Sequence, residues 1–305
     1  VRALLQTDGS VMGSNNMVTS GMLTKSGKPI LTNDPHLGTG QPAWWYEIHL
    51  KGGGINVSGI CLPGMPLPVI GQNEHCAWGF TNVMADDMDF FVETIHPENS
   101  SLYKHKGEGK KFETHEELIP LKSGGEQKIT IRKTVHGPVI SDIHTLLKDS
   151  KTVVSMAWVG NTMSNEIKAL MEMSYIKNWD DFSSVVEQIA VPGQNIVYAD
   201  VKGNIGWRPA VYVPIRKQGY SMIPRPGEDP SFDWKGKIPF EKMPFLYNPE
   251  KGYISTANNK MIGDDFPYYI SKLWADPSRI EQINRRLDSM DNMTVEKMKS
   301  VQLDQ

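Results

Sequence analysis

Gly13-Ser14-Asn15-Asn16-Met17-Val18-Thr19-Ser20-Gly21-Met22-Leu23-Thr24-Lys25-Ser26-Gly27-Lys28-Pro29-Ile30-Leu31 is the stretch on which the fold turns. Residues 1–13 carry little periodicity, and the pattern changes at Met17. Met17 to Met22 and Pro29 to Leu31 read as strands. Gly27 between them supplies the positive φ that a tight turn wants. Further along, Trp44 to Leu50 and Ile55 to Leu62 alternate as two more strands joined at Gly52-Gly53-Gly54. Val69 to Glu74 and Cys76 to Thr81 read as another hairpin. Asn99 to Gln127 is polar and reads as a surface excursion, followed by strands over Lys128 to Val135 and Thr152 to Trp158.

Helical spacing comes only later. Glu166 to Ile176 has it. Asn178 is placed to cap a second helix, Trp179 to Ile189, with Asp180 and Asp181 at its positive dipole end. Ile196 to Asp200 and Ile205 to Trp207 flank the turn Val201-Lys202-Gly203-Asn204. Arg216 to Asn248, rich in Pro, Gly and aromatics, reads as a long packed loop. Asp276-Pro277 opens a helix through Leu287, and Thr294 caps another over Val295 to Leu303. Strands, two helices, strands, then helices: this segregation is that of an α+β fold, with helices layered on largely antiparallel sheets.

Composition narrows the function. In 305 residues, 32 basic and 35 acidic side chains leave a net charge of −3, so bulk charge excludes a nucleic acid partner. Charged residues at 22% and hydrophobic ones at 39% describe a globular chain. The length allows two domains or one β-rich domain. No apolar run approaches the roughly 18–20 residues that would span a bilayer. Cys61 and Cys76 leave one bridge and two buried thiols both open. The start at Val1 and the abrupt end after Gln305 suggest a segment of a longer protein.

Several chemistries lack their motifs. There is no G-x-S-x-G elbow, no H-E-x-x-H and no Walker loop. Gly38-Thr39-Gly40 is followed by Pro42 and no helix, which disfavours a dinucleotide loop. What stands out is an ordered set: Gly13-Ser14-Asn15-Asn16-Met17, then Thr32-Asn33-Asp34-Pro35-His36-Leu37-Gly38, then Trp78-Gly79-Phe80-Thr81-Asn82-Val83-Met84-Ala85-Asp86-Asp87-Met88-Asp89, and Gly252-Tyr253-Ile254-Ser255-Thr256-Ala257-Asn258-Asn259. Arg132 to Gly137, Tyr198 to Gly206 and Phe232 to Gly236 add to it. Any one motif is weak, and the order and spacing carry the weight. Together they resemble the penicillin acylase family of N-terminal nucleophile hydrolases, from about Ser14 to the end of the chain.

The resemblance implies a four-layer αββα sandwich and a precursor that cuts itself at Gly13-Ser14. Residues 1–13 would then be the end of a linker or small-subunit segment. Residues 14–305 would be the N-terminal part of the catalytic large subunit, incomplete at its C-terminus, with the small subunit of the same precursor as partner. A periplasmic or extracellular location is also implied. Cleavage would free the Ser14 amine. An α-amino group titrates at about pH 8, so one residue can supply both nucleophile and base. His36 would orient that amine. Asn258 would donate to the oxyanion, with a backbone N–H of Val83, or of Asn82 if the alignment slips by one, as second donor. Arg279 would hold Asn258 or the substrate, or pair with an acid on its own helix face. Asp86, the Met88 carbonyl and Asp89 match part of a calcium site, with Ser221 or Met222 and Ile270 where relatives have other ligands. No cofactor would be needed for catalysis. The expected activity is hydrolysis of an N-acyl amide: a β-lactam side chain, an N-acyl homoserine lactone or another acylated amine. Trp44, Trp45, Met65, Phe80 and Met84 are candidates to line an apolar acyl pocket. The alternative is a non-catalytic β-rich binding domain that keeps the same fold.

Overall fold

The computed structural model describes residues 13–38, 40–147, 150–218 and 222–304. Two sheets stacked face to face form its centre. The larger has seven strands, in the order Leu246–Tyr247, Ile205–Ala210, Gln194–Asp200, Cys76–Asn82, Ile70–Gln72, Ile55–Cys61 and Tyr46–Gly52, all antiparallel. The smaller has the Gly13–Thr19 strand between Ile30–His36 and Tyr253–Thr256.

Alternation along each inner strand explains the layers. Ile196 and Tyr198 face one side, with Trp78, and meet Ala169, Leu170 and Met173 of α1 (Glu166–Met173) and Phe182, Val185 and Val186 of α2 (Trp179–Val186). Val197 and Ala199 face the other side and meet Val18 and Ile254 of the smaller sheet. Met17, one residue from Val18, points the opposite way, to Ile280, Ile283 and Leu287 of α3 (Ser278–Asp288) and Met298 and Val301 of α4 (Val295–Gln302). A period of two on strands covered on both faces puts apolar side chains outward and inward alike. The result is helix, sheet, sheet, helix: the four-layer αββα sandwich. Asn165, Asn178 and Thr294 cap α1, α2 and α4, each accepting a backbone N–H three residues on, worth about 1 kcal/mol apiece.

Some boundaries differ from expectation. The first strand begins at Gly13, not Met17, and ends at Thr19. Ser14 therefore sits inside regular structure, held by pairing with Pro35. The second strand runs on to His36, through Pro35. Trp44 and Trp45 precede the strand they were expected to open. The stretch expected as a surface excursion is strand: Asn99–His105 pairs with Glu108–Lys111, and Glu113–Pro120 with Glu126–Thr134. Every residue of Glu113–Pro120 is exposed, so no apolar alternation marks it. The expected packed loop over Arg216 to Asn248 holds the short strands Arg225–Pro226, Trp234–Lys237 and Leu246–Tyr247. Cys61 and Cys76 are free, buried thiols.

Candidate active site

Ser14 lies on the central strand of the smaller sheet, 8% exposed. Its backbone N–H donates to Asn258 Oδ1 at 2.8 Å. Asn258 follows the Tyr253–Thr256 strand, which pairs with Ser14's own strand, so sheet register brings the two together. Asn258 holds φ of +62°, a region asparagine tolerates better than most residues and one that clusters at functional sites.

Arg279, in the first turn of α3, gathers four oxygens. One guanidinium nitrogen donates to Ser14 O (3.1 Å) and Asn15 Oδ1 (2.9 Å). Another donates to Ala257 O (2.8 Å) and Asn258 Oδ1 (3.0 Å). Burial lowers its pKa, opposed by Asp34, yet a guanidinium keeps its charge in a protein. Of the three roles open to it, the structure therefore has Arg279 bonded to Asn258 and to the Ser14 backbone. The same guanidinium lies over Gly13: a Cβ there would come within 3.2 Å of its nitrogens. Glycine is what fits.

Asn258 Nδ2 donates one hydrogen to Asn82 O at 2.8 Å. An amide nitrogen carries two hydrogens, so a second is available for an oxyanion. The expected backbone donor Val83 needs correcting. Its N–H is spent on Gly193 O at 3.1 Å, because Val83 continues the ladder between Cys76–Asn82 and Gln194–Asp200. Alternation turns the even-numbered N–H groups the other way. Phe80 N–H goes to Asn33 Oδ1 at 2.6 Å, and Asn82 N–H points to that same side, beyond the end of the Ile70–Gln72 strand. Asn82 is thus the better placed of the two.

His36 was expected to orient the Ser14 amine, a group that would exist only after cleavage. It pairs with Gly13 across the ladder, but its imidazole Nε2 meets Asp34 Oδ2 at 3.0 Å and Asn15 Nδ2 at 3.4 Å. The two-residue spacing of Asp34 and His36 puts both on one face of the strand. Burial raises the Asp34 pKa, with His36, Asn15 and Arg279 pulling against it.

Beside Ser14 opens a cavity of about 420 Å³. Trp44, Trp45, Met65 and Phe80 line it as expected, and Met84 does not. Leu62, Val69, Leu170, Ile189 and Val191 complete a mostly apolar wall. Glu166, a carboxylate on that wall, accepts the Ala190 and Val191 N–H groups (3.1 and 3.3 Å). Burial raises its pKa, but bonds from Ser164 and backbone N–H groups leave it net lowered.

A buried polar network behind the serine was not foreseen from the sequence. Thr256 Oγ1 bonds Asn16 Oδ1 and Thr81 Oγ1. Asn195 Nδ2 donates to Thr81 Oγ1, and Trp207 Nε1 to Asn195 Oδ1. Asn33 bridges Asn15 O and Phe80 O. Asn33 lies within 3 Å of where a Cβ on Gly79 would be, which is why residue 79 has no side chain. The signal was present in Thr32-Asn33-Asp34, but a buried asparagine and a turn asparagine look alike in sequence.

The carboxylates expected to bind calcium are already served. Arg216 donates to Asp89 Oδ2 (2.8 Å), Asp86 O (2.9 Å) and Asp86 Oδ1 (3.3 Å). Tyr269 donates to Asp86 Oδ2, and Trp234 to Asp89 Oδ2. Ile270 contributes its carbonyl to the Asp86 N–H, not to a cation, and Ser221 lies outside the described residues. Calcium takes six to eight oxygens. This donor set, filled by a guanidinium, does not fit it.

A four-layer αββα sandwich carrying a serine on an inner strand is the architecture of an N-terminal nucleophile hydrolase. The penicillin amidase family model matches residues 1–305, and the chain belongs to that family. It is similar to penicillin G acylase of Escherichia coli, 33% identical over 286 residues, covering 93% of this chain and 33% of that protein. Acyl-homoserine lactone acylase QuiP of Pseudomonas fluorescens is 26% identical over 271 residues (88% and 33%). Penicillin acylase 2 proenzyme of a Pseudomonas species is 29% identical over 282 residues (92% and 36%). Among solved structures, thermostable penicillin G acylase from Alcaligenes faecalis superposes with a TM-score of 0.81 at 27% identity, over 94% of this chain and 51% of that one. The chain spans about a third of the length of the curated relatives it matches.

Proposed function

We propose that this chain is the nucleophile-bearing part of an amidohydrolase, and that Ser14 becomes the nucleophile when the Gly13-Ser14 bond is cut. The observation that carries this is the hold on Ser14: its N–H on Asn258, its carbonyl on Arg279, and an apolar cavity at its side. In the uncut chain the Ser14 nitrogen is an amide and cannot act as a base. Attack of Ser14 Oγ on the Gly13 carbonyl carbon breaks the C–N bond and leaves Gly13 esterified to Ser14. That step frees the Ser14 amine, and water then releases the Gly13 carboxyl and restores the Ser14 hydroxyl. The small subunit of the precursor would be the partner of residues 14–305.

The same centre then serves the substrate. The Ser14 amine takes the Oγ proton as Oγ attacks an acyl-amide carbonyl, and passes it to the departing amine. The oxyanion sits against the second hydrogen of Asn258 Nδ2 and the Asn82 N–H. Water clears the acyl-enzyme with the same amine as base. The cavity walls favour an apolar acyl group. Relatives named for penicillin G and for acyl-homoserine lactones bracket the leaving amines to test. N-terminal sequencing of the full-length gene product tests the first step. A terminus at Ser14-Asn15-Asn16 is expected. A folded protein with Gly13-Ser14 intact would instead favour a binding domain that keeps the fold.

A further inference from the structure

The excursion beyond the sandwich brings together three side chains that the proposed chemistry does not use. His105 ends the Asn99–His105 strand, His136 sits in the turn after Glu126–Thr134, and Asp233 precedes Trp234–Lys237. They line a cavity of about 480 Å³ that shares no wall residue with the one beside Ser14. The ligand atoms these three can offer lie within 4.8 Å of one another.

The neighbours orient both rings. His105 Nδ1 is 2.9 Å from Gly227 O. A carbonyl only accepts, so Nδ1 carries a proton, and in the neutral imidazole the lone pair is then on Nε2. His136 Nδ1 is 2.9 Å from Glu93 Oε1, which Thr134 and Ser155 also hold by their hydroxyls. Phe91 stacks on the His136 ring at 3.8 Å and 6° and fixes its plane. Both Nε2 atoms therefore turn to Asp233, His136 at 3.2 Å from Oδ1 and His105 at 3.5 Å from Oδ2. Metal-binding imidazoles show this arrangement: one nitrogen on the metal, the other donating to a carbonyl or carboxylate. Donors around a tetrahedral zinc at about 2.0–2.1 Å sit roughly 3.3 Å apart; the two imidazoles reach different Asp233 oxygens at 3.2 and 3.5 Å, and with the three ligand atoms within 4.8 Å of one another small side-chain movements would close them on one ion. His105 and His136 are 2% and 5% exposed in their side chains, Asp233 20%. Lys106 Nζ, 3.5 Å from Asp233 Oδ2, competes for one oxygen, but its side chain is 55% exposed and can swing into solvent.

We propose that His105 Nε2, His136 Nε2 and an Asp233 oxygen bind a zinc-type divalent cation, with a further coordination position facing the cavity. Two imidazoles and one carboxylate suit zinc and leave that position open to water or a small ligand. The competing arrangement is a pair of histidinium ions with no affinity for metal, His136 between Glu93 and Asp233 and His105 between Gly227 O and Asp233.

Zinc chloride titrated into the metal-stripped full-length gene product, followed by calorimetry, separates the two. One equivalent bound at micromolar affinity or tighter is expected, and cobalt in its place should give visible d–d absorption bands. Glu93→Gln should weaken binding about 10–100-fold by loosening the His136 tautomer. His105→Asn and Asp233→Asn should weaken it more than that. Zinc should raise the melting temperature of the wild type but not of His105→Asn, a control that also reports whether the variant folds. No stoichiometric zinc, or equal binding by wild type, His105→Asn and Asp233→Asn, would overturn the proposal. Neither result depends on whether Ser14 is a nucleophile.

Discussion

Ser14 and Asn258 are 244 residues apart in the chain and 2.8 Å apart between amide nitrogen and side-chain oxygen. Two neighbouring strands of one three-stranded sheet make that meeting, and Arg279 clamps both residues from the helix layer. The site is therefore a property of the assembled sandwich and not of any local motif.

Processing is the first consequence to test. Ser14→Ala in the full-length gene product removes the hydroxyl proposed to attack Gly13. The protein should fold, keep its full precursor mass and show no acylase activity. A variant that still cleaves at this bond would sink the assignment.

Asn258 and Arg279 should separate in their effects. Asn258→Ala removes the proposed oxyanion donor and should lower kcat by about 10²–10³ with little change in KM. Arg279→Ala leaves Asn258 Oδ1 and Ser14 O short of a partner, so loss of processing should accompany loss of activity. Mass spectrometry of the purified variants, alongside steady-state kinetics on an acyl-amide panel, reads both.

Arg216 should matter for stability and not for chemistry. Arg216→Met leaves Asp86 and Asp89, both at or below 5% exposure, without their cation. Breaking a buried pair on one side costs about 3–5 kcal/mol, visible in urea denaturation. Calcium should recover part of that loss in the variant. Wild type should show no shift with calcium or with EGTA; a shift there would restore calcium as the resident ion.

Alkaline pH should expose the Cys76 thiol. Burial, with Asp200 and Asp181 adding to it, raises its pKa from 9.0 to about 11, against a hydrogen bond shared with Tyr198. The folded state holds the proton longer than the unfolded one. That contribution is complete below about pH 9 and is lost as pH rises through about 11. Tyr198 is raised as well and acts with the same sign, so the decline in stability should be shallower in Cys76→Ala, not absent. Iodoacetamide at mildly alkaline pH should label Cys76 only upon unfolding.

Layering was legible in the sequence because Ile196 to Ala199 form a continuous apolar run of strand length, as a strand covered on both faces does, and Asn178 and Thr294 announce their helices. Glu113–Pro120 was not legible as strand, since with both faces in water nothing constrains its pattern. At the site, residue identities in the ordered motifs singled out Ser14 and Asn258; Arg279 lies outside those motifs and followed only from the family resemblance. Which N–H points where was hidden. Val83 and Asn82 differ by one position, and one position flips a strand's donors from neighbour to cavity. His36 was expected at the serine amine from sequence position; in the uncut chain, where that amine does not yet exist, it meets Asp34, two residues away on the same face. Arg216 could not be matched to Asp86 and Asp89 because 130 and 127 residues separate them.

Arg279 has a bearing on timing. A growing chain makes the Gly13-Ser14 bond well before the guanidinium that lies over it, which belongs to a helix made some 265 residues later. Until that helix has docked, Ser14 lacks both the clamp on its carbonyl and the fixed amide of Asn258. On the proposed mechanism a chain stalled or misfolded short of α3 would keep its bond uncut, and scission would then report that α3 has docked on the smaller sheet.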